Sequence, residues 1–146
     1  MLVATLGGIG FSPKSPGTLG SLVALPFAWL ILRAGGPPAL LAAAALLFAV
    51  GWWAAAIVCR ALGKDPRVIV VDEAAGQWLT LAAAPLDPWF FAAAFVLFRI
   101  FDIWKPWPVS WADQRILGGF GTMIDDIAAA IYAIVILLIG RHFLGR

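Results

Sequence analysis

The run from Ala39 to Val58 carries no ionisable side chain, and about 20 such residues in a helix cross about 30 Å of hydrocarbon. That run constrains the fold more than any other feature, because a stretch so long and so apolar is costly to leave in water. The rest of the chain agrees with it: 63% of residues are hydrophobic and 12% charged, against about 25% charged in soluble domains. The chain reads as membrane-embedded, and 146 residues suit a single domain, residues 1–146. The formal net charge of +2, with no basic run, argues against nucleic acid as a partner and suits membrane topology or anionic head groups.

The expected fold is all-α: a polytopic helical membrane protein of about four to five hydrophobic helices. Residues 1–10 are apolar and glycine-rich but too short to span. Phe11 to Ser21 holds two prolines and two glycines and reads as irregular, with Thr18 or Ser21 available to cap the next helix. Leu19 to Leu32 is the first hydrophobic helix, with Pro26 a candidate kink, and Ala39 to Val58 is the second. Ala74 to Ala84 and Trp89 to Trp104 are short for full spans. They read as a short hairpin, tilted or re-entrant, turned at Pro85-Leu-Asp-Pro88 with Asp87 as a cap. Pro106 biases Lys105 away from the helical region, so the second arm ends at Trp104. Lys105 to Gly121 is a long polar connection, and Met123 to Gly140 is the last helix.

Counting crossings puts Lys14, Arg60, Lys64, Arg67, Lys105 and Arg115 on one side, and Arg33, Arg141 and Arg146 on the other. The positive-inside rule makes the first side cytoplasmic. Of the eight tryptophans, Trp104, Trp107 and Trp111 fall where an interfacial belt would lie. The same side also gathers Asp72, Glu73, Asp102, Asp125 and Asp126, delivered by separate segments.

Arg99, Asp102 and Lys105 recur at three-residue steps, which on a helix is one face. Ionisable groups at membrane depth cost enough free energy to mark a functional site by default. Hard divalent cations take oxygen ligands, and magnesium is commonly held by a few carboxylates together with water and substrate phosphate. The five acids have the composition of such a site, with room for one metal or two. Lys14, Arg99 and Lys105 are the candidates for phosphate oxygens, Arg as a fork and Lys as a point charge. Gly17-Thr-Leu-Gly-Ser21 offers backbone N–H groups and the Thr18 and Ser21 hydroxyls to an anion. Plainer roles compete for each residue. Asp72 and Glu73 also suit a helix N-terminus, Thr122-Met-Ile-Asp125 fits a capping box, Asp102 can neutralise Arg99, and Gly118-Gly-Phe-Gly121 can be a flexible approach to the last helix.

Absences narrow the chemistry. Cys59 is the single cysteine, lacks a phosphate-cradling loop and reads as a buried small hydrophobe. The one histidine, His142, falls on the side away from the acids. No Asp-x-Asp pair occurs, so phosphate chemistry here would rest on metal and carboxylates.

Four blocks resemble the phosphatidylglycerophosphatase A family of bacteria. They are Ser12-Pro-Lys-Ser-Pro-Gly-Thr-Leu-Gly-Ser21, Val70-Val-Asp-Glu-Ala-Ala-Gly-Gln-Trp78, Phe98-Arg-Ile-Phe-Asp-Ile-Trp-Lys-Pro-Trp-Pro108 and Gly118-Gly-Phe-Gly-Thr-Met-Ile-Asp-Asp126. They occur in the family's order and cover most of the chain outside the second helix. The resemblance implies a magnesium-dependent phosphatase of the bacterial inner membrane with its active site at the cytoplasmic face. It would hydrolyse phosphatidylglycerol phosphate to phosphatidylglycerol and inorganic phosphate, within phospholipid biosynthesis. Asp72, Glu73, Asp102, Asp125 and Asp126 would hold Mg2+, while Lys14, Thr18, Ser21, Arg99 and Lys105 would bind phosphate. Metal-activated water or an aspartate would serve as nucleophile. The competing expectation is a small membrane protein that binds or transports a divalent cation.

Overall fold

The computed structural model describes residues 1–63, 66–116 and 118–145; Lys64 and Arg146, both assigned a side by the crossing count, lie outside the described residues. No strand occurs among the described residues, and five helices make the fold: α1 Pro16–Leu62, α2 Val71–Leu81, α3 Pro88–Trp104, α4 Val109–Arg115 and α5 Gly118–Leu144. Two of them, α1 and α5, are long and apolar enough to cross a membrane.

The two helices expected within α1 are its two legs. Gly36 interrupts them at φ 70° and ψ −170°, ahead of Pro37 and Pro38. Only glycine takes that backbone readily, and the prolines cannot donate back into the preceding turn. The break falls there and not at Pro26, which sits within helical backbone. The legs fold back on each other, because a Cβ on Gly20 would meet Val70 and a Cβ on Gly51 would meet Val71. Both legs thus flank the start of α2.

The N-terminal segment fixes that start. Val70 and Val71 donate to the Ala4 carbonyl at 2.8 and 3.1 Å, satisfying N–H groups that a helix leaves open at its first turn. From there α2 runs away from the charged end, tied to the first leg by the Trp78 indole donating to Ala24 O at 2.9 Å. Its far end packs with Leu32, Leu40, Phe90, Phe91 and Leu137. The α2–α3 turn therefore sits beside the Gly36 bend, and α3 returns from it. Asp87 caps α3 as expected, accepting from Trp89 N at 2.8 Å, and α3 ends at Trp104.

Two expectations are corrected, and the polar connection gains a helix. Thr18 and Ser21 do not cap the first helix, which begins at Pro16 after Ser15; proline suits the first helical position because its missing N–H would be unpaired there anyway. The polar connection after Lys105 contains a short helix, α4, whose Val109 joins the core of Phe98, Phe101, Ala129 and Ala133. The last helix starts at Gly118 and not at Met123, so Thr122 lies inside α5 and is not a cap. Gly119 and Gly121 serve close packing: a Cβ on Gly119 would lie 2.3 Å from the Ala56 backbone nitrogen.

Candidate active site

One cleft of about 290 Å³ opens where the start of α1, the first turn of α2, the end of α3 and the first half of α5 meet. Each wall has a local cause. Asp72 and Glu73 stand in the first turn of α2, where the helix dipole favours negative charge. Asp125 and Asp126 lie inside α5 and are buried. Arg99 and Asp102 stand three residues apart near the end of α3 and pair with each other. Lys105, just past α3, adopts a left-handed backbone with φ 51°, uncommon for a lysine.

All five predicted acids line the cleft, but they are not equivalent. One carboxylate oxygen from each of Asp72, Glu73 and Asp126 lies within 4.8 Å of the others. Asp102 is held by Arg99, and Asp125 accepts from Lys105 Nζ at 2.8 Å. Lys105 also pairs with Asp113 of α4 at 3.5 Å, so it ties three elements together. Burial by itself would lower the Lys105 pKa, but the Asp125 carboxylate outweighs it and holds the ammonium above the usual lysine range.

The cleft holds an electrostatic excess. At full ionisation five carboxylates face three cations, Arg67, Arg99 and Lys105. Asp72 Oδ1, Glu73 Oε2 and Asp126 Oδ2 are buried and have no hydrogen-bond partner among the described residues. Leaving such oxygens unpaired is costly, and a hard divalent cation is the group whose chemistry removes that cost. The donor set therefore fits magnesium.

Of the predicted phosphate ligands, Thr18, Arg99 and Lys105 line the cleft, whereas Lys14 and Ser21 are not among its lining residues. Lys14 is exposed, and Ser21 is fully buried, its Oγ without a partner among the described residues. Sequence reasoning gave no site role to Ser15 and Arg67, which also line the cleft, and offered Gly17, another lining residue, only as part of a loop presenting backbone N–H groups. Gly17 carries a signal readable only from the packing: a Cβ there would lie 2.6 Å from Glu73 Oε1 and 3.3 Å from an Arg99 terminal nitrogen. Gln77, one turn below Glu73, is fully buried, with neither amide atom partnered among the described residues. It stands inside the Val70–Trp78 block, and that placement is its only signal.

Fold and site define a class: a small all-helical protein with two helices fit to cross a membrane and a carboxylate-rich charged cleft at one end of the bundle. A family model described as phosphatidylglycerophosphatase A matches residues 2–141, and the chain belongs to that family. It is 43% identical to a protein of Escherichia coli (strain K12) named phosphatidylglycerophosphatase A, over 97% of this chain and 84% of that one. A Haemophilus influenzae protein of the same name is 37% identical over 98% of this chain and 89% of its own. A Bacteroides thetaiotaomicron protein named "Putative phosphatidylinositol-3-phosphatase" is 41% identical over 99% and 95%. No solved structure matches the chain.

Proposed function

We propose that this chain is a magnesium-dependent lipid phosphatase that hydrolyses phosphatidylglycerol phosphate to phosphatidylglycerol and inorganic phosphate in phospholipid biosynthesis. It is a multi-pass protein of the bacterial inner membrane, with the cleft at the cytoplasmic face. The observation that carries this reading is the meeting of Asp72, Glu73 and Asp126, each with a buried oxygen lacking a partner among the described residues, beside the cations Arg99 and Lys105.

Asp72, Glu73 and Asp126 would hold Mg2+, with Asp102 and Asp125 supporting the set from the same cleft. Bound there, the ion would neutralise phosphoryl oxygens and activate an attacking oxygen. The chain's own residues do the rest. Arg99, kept in place by Asp102, presents its remaining donors to phosphate oxygens as a rigid fork. Lys105 supplies a point charge already fixed by Asp125, so little reorganisation is needed as charge grows on the phosphoryl group. Thr18 stands at the cleft wall with a hydroxyl available to the substrate. Hydrolysis forms a phosphorus–oxygen bond from water and breaks the ester bond to glycerol, whose oxygen leaves with a proton.

An ion pathway is disfavoured by placement. Asp72, Glu73, Asp102, Asp125 and Asp126 collect in one cleft, while the far end of the bundle is an apolar cluster. A conduction path would need carboxylates through the span. Trp104, Trp107 and Trp111 are more than half exposed near the cleft end, as suits an interfacial belt.

The test is phosphate release from phosphatidylglycerol phosphate by purified protein in detergent, with magnesium or chelator, and with phosphatidylinositol 3-phosphate in parallel. Magnesium-dependent release from the first lipid that Asp72→Asn abolishes is the expected result. Preference for the phosphoinositide would move the substrate assignment, and no release from either lipid by folded protein would overturn the reading.

A further inference from the structure

An apolar groove of about 510 Å³ runs along the outer side of α3, lined by Phe95, Val96, Ile100 and Trp104 together with Thr18, Arg99 and Ile103. Those last three residues also line the charged cleft, so the two spaces share a wall. Two other apolar grooves, one beside Phe48 and Ile124 and one beside Phe27 and Trp78, share no residue with the cleft. Val96, Ile100 and Ile103 recur at helical spacing on one face of α3. Each is 47–69% exposed.

At the shared wall stands Arg99. One terminal nitrogen serves Asp102, but its Nε is buried and has no partner among the described residues. A buried donor left unpaired is costly, and this one sits where a polar cleft turns into an apolar groove. A ligand that satisfies both sides carries an anionic oxygen next to a hydrocarbon chain. A phospholipid has that pattern.

We propose that the α3 groove seats one acyl chain of the lipid substrate, along Val96, Ile100 and Ile103. Arg99 Nε–H donates to a phosphate oxygen at the junction, and the terminal phosphate group reaches the carboxylates beyond. This rests on the phosphatase reading and extends it: α3 is then the wall that selects a membrane lipid over a soluble phosphate ester. The substrate enters sideways from the bilayer, and the acyl chain contributes binding free energy remote from the reacting phosphorus.

Filling the groove tests this. Ile100→Trp and Val96→Trp are compared with Leu138→Trp, on the half-exposed face of α5, using dioleoyl and dibutanoyl phosphatidylglycerol phosphate as substrates. The expected result is a loss of about tenfold in kcat/KM on the dioleoyl lipid for the two groove variants. The dibutanoyl ester should change less than about twofold, and Leu138→Trp should change neither. Equal losses on both substrates, no loss on either, or the same loss from Leu138→Trp would overturn the groove assignment while leaving the phosphatase intact. Wild-type protein inactive on both substrates would instead overturn the phosphatase reading and the groove with it. Thermal melts of each variant confirm folding, and because these side chains are exposed no large shift is expected.

Discussion

The two ends of this bundle treat their polar groups in opposite ways. At the end holding the Gly36 bend and the α2–α3 turn, Arg141 and Asp87 have structural tasks. Arg141 donates to the Ala83 carbonyl at 2.9 Å, and Asp87 caps α3. Around them pack Leu32, Leu40, Leu81, Phe90, Phe91 and Leu137. At the other end, Asp72, Glu73, Asp126 and Arg99 each keep a buried polar atom with no partner among the described residues. Capping contributes stability, whereas burying unpaired like charges opposes it. A chain that keeps the second arrangement holds it for binding or chemistry, and stability supplied by the far end tolerates it.

The sharpest way to break that comparison is Asp126→Asn. Activity should fall more than about a thousandfold, while the melting temperature without magnesium stays level or rises, because one buried negative charge is gone. A variant that unfolds more readily would make Asp126 a structural residue like those of the far end. Next in size is Lys105→Gln, which removes the ammonium joining Asp113 and Asp125. It should lower kcat by about a hundredfold, measured on phosphatidylglycerol phosphate at saturating magnesium. An unchanged kcat would confine Lys105 to bracing α4.

A smaller effect is expected at Gly17, where a Cβ would press on Glu73 and Arg99. Gly17→Ala should cost about tenfold in kcat/KM through displaced ligands. Gly140→Ala, where a Cβ meets nothing within 4 Å, should be silent, and equal effects would show that the approach at Gly17 is not functional. The far end gives the mildest result. Asp87→Ala should lower stability by about 1 kcal/mol in denaturant melts with kcat unchanged, and a loss of activity there would erase the distinction between the ends.

Much of this division is legible in the sequence. Pro106 fixes the end of α3, the Pro-Leu-Asp-Pro turn announces the Asp87 cap, and crossing counts bring the acids to one end. The three-residue step also anticipates the Arg99–Asp102 pair. What sequence cannot supply is the sorting of the five acids, because Lys105 and Asp125 lie 20 residues apart and only packing brings them together. The capping of α2 by the Ala4 carbonyl is equally a tertiary event. The start of α5 is hidden for another reason. Glycine disfavours a helix interior, yet Gly119 sits in α5 because a larger residue would collide with α1. For Lys14 and Ser21, shared membership in one motif suggests a shared site, but Lys14 stands exposed ahead of α1 and Ser21 is buried within it, and neither lines the cleft.

The most direct test of the central claim is a thermal melt of detergent-solubilised protein titrated with magnesium, run on wild type, Asp126→Asn and Asp87→Ala. A ligand that binds only the folded state raises the melting temperature in proportion to its binding. Wild type and Asp87→Ala should rise with magnesium, and Asp126→Asn should not. Equal responses from all three, or no rise in wild type, would contradict a magnesium site built from Asp72, Glu73 and Asp126.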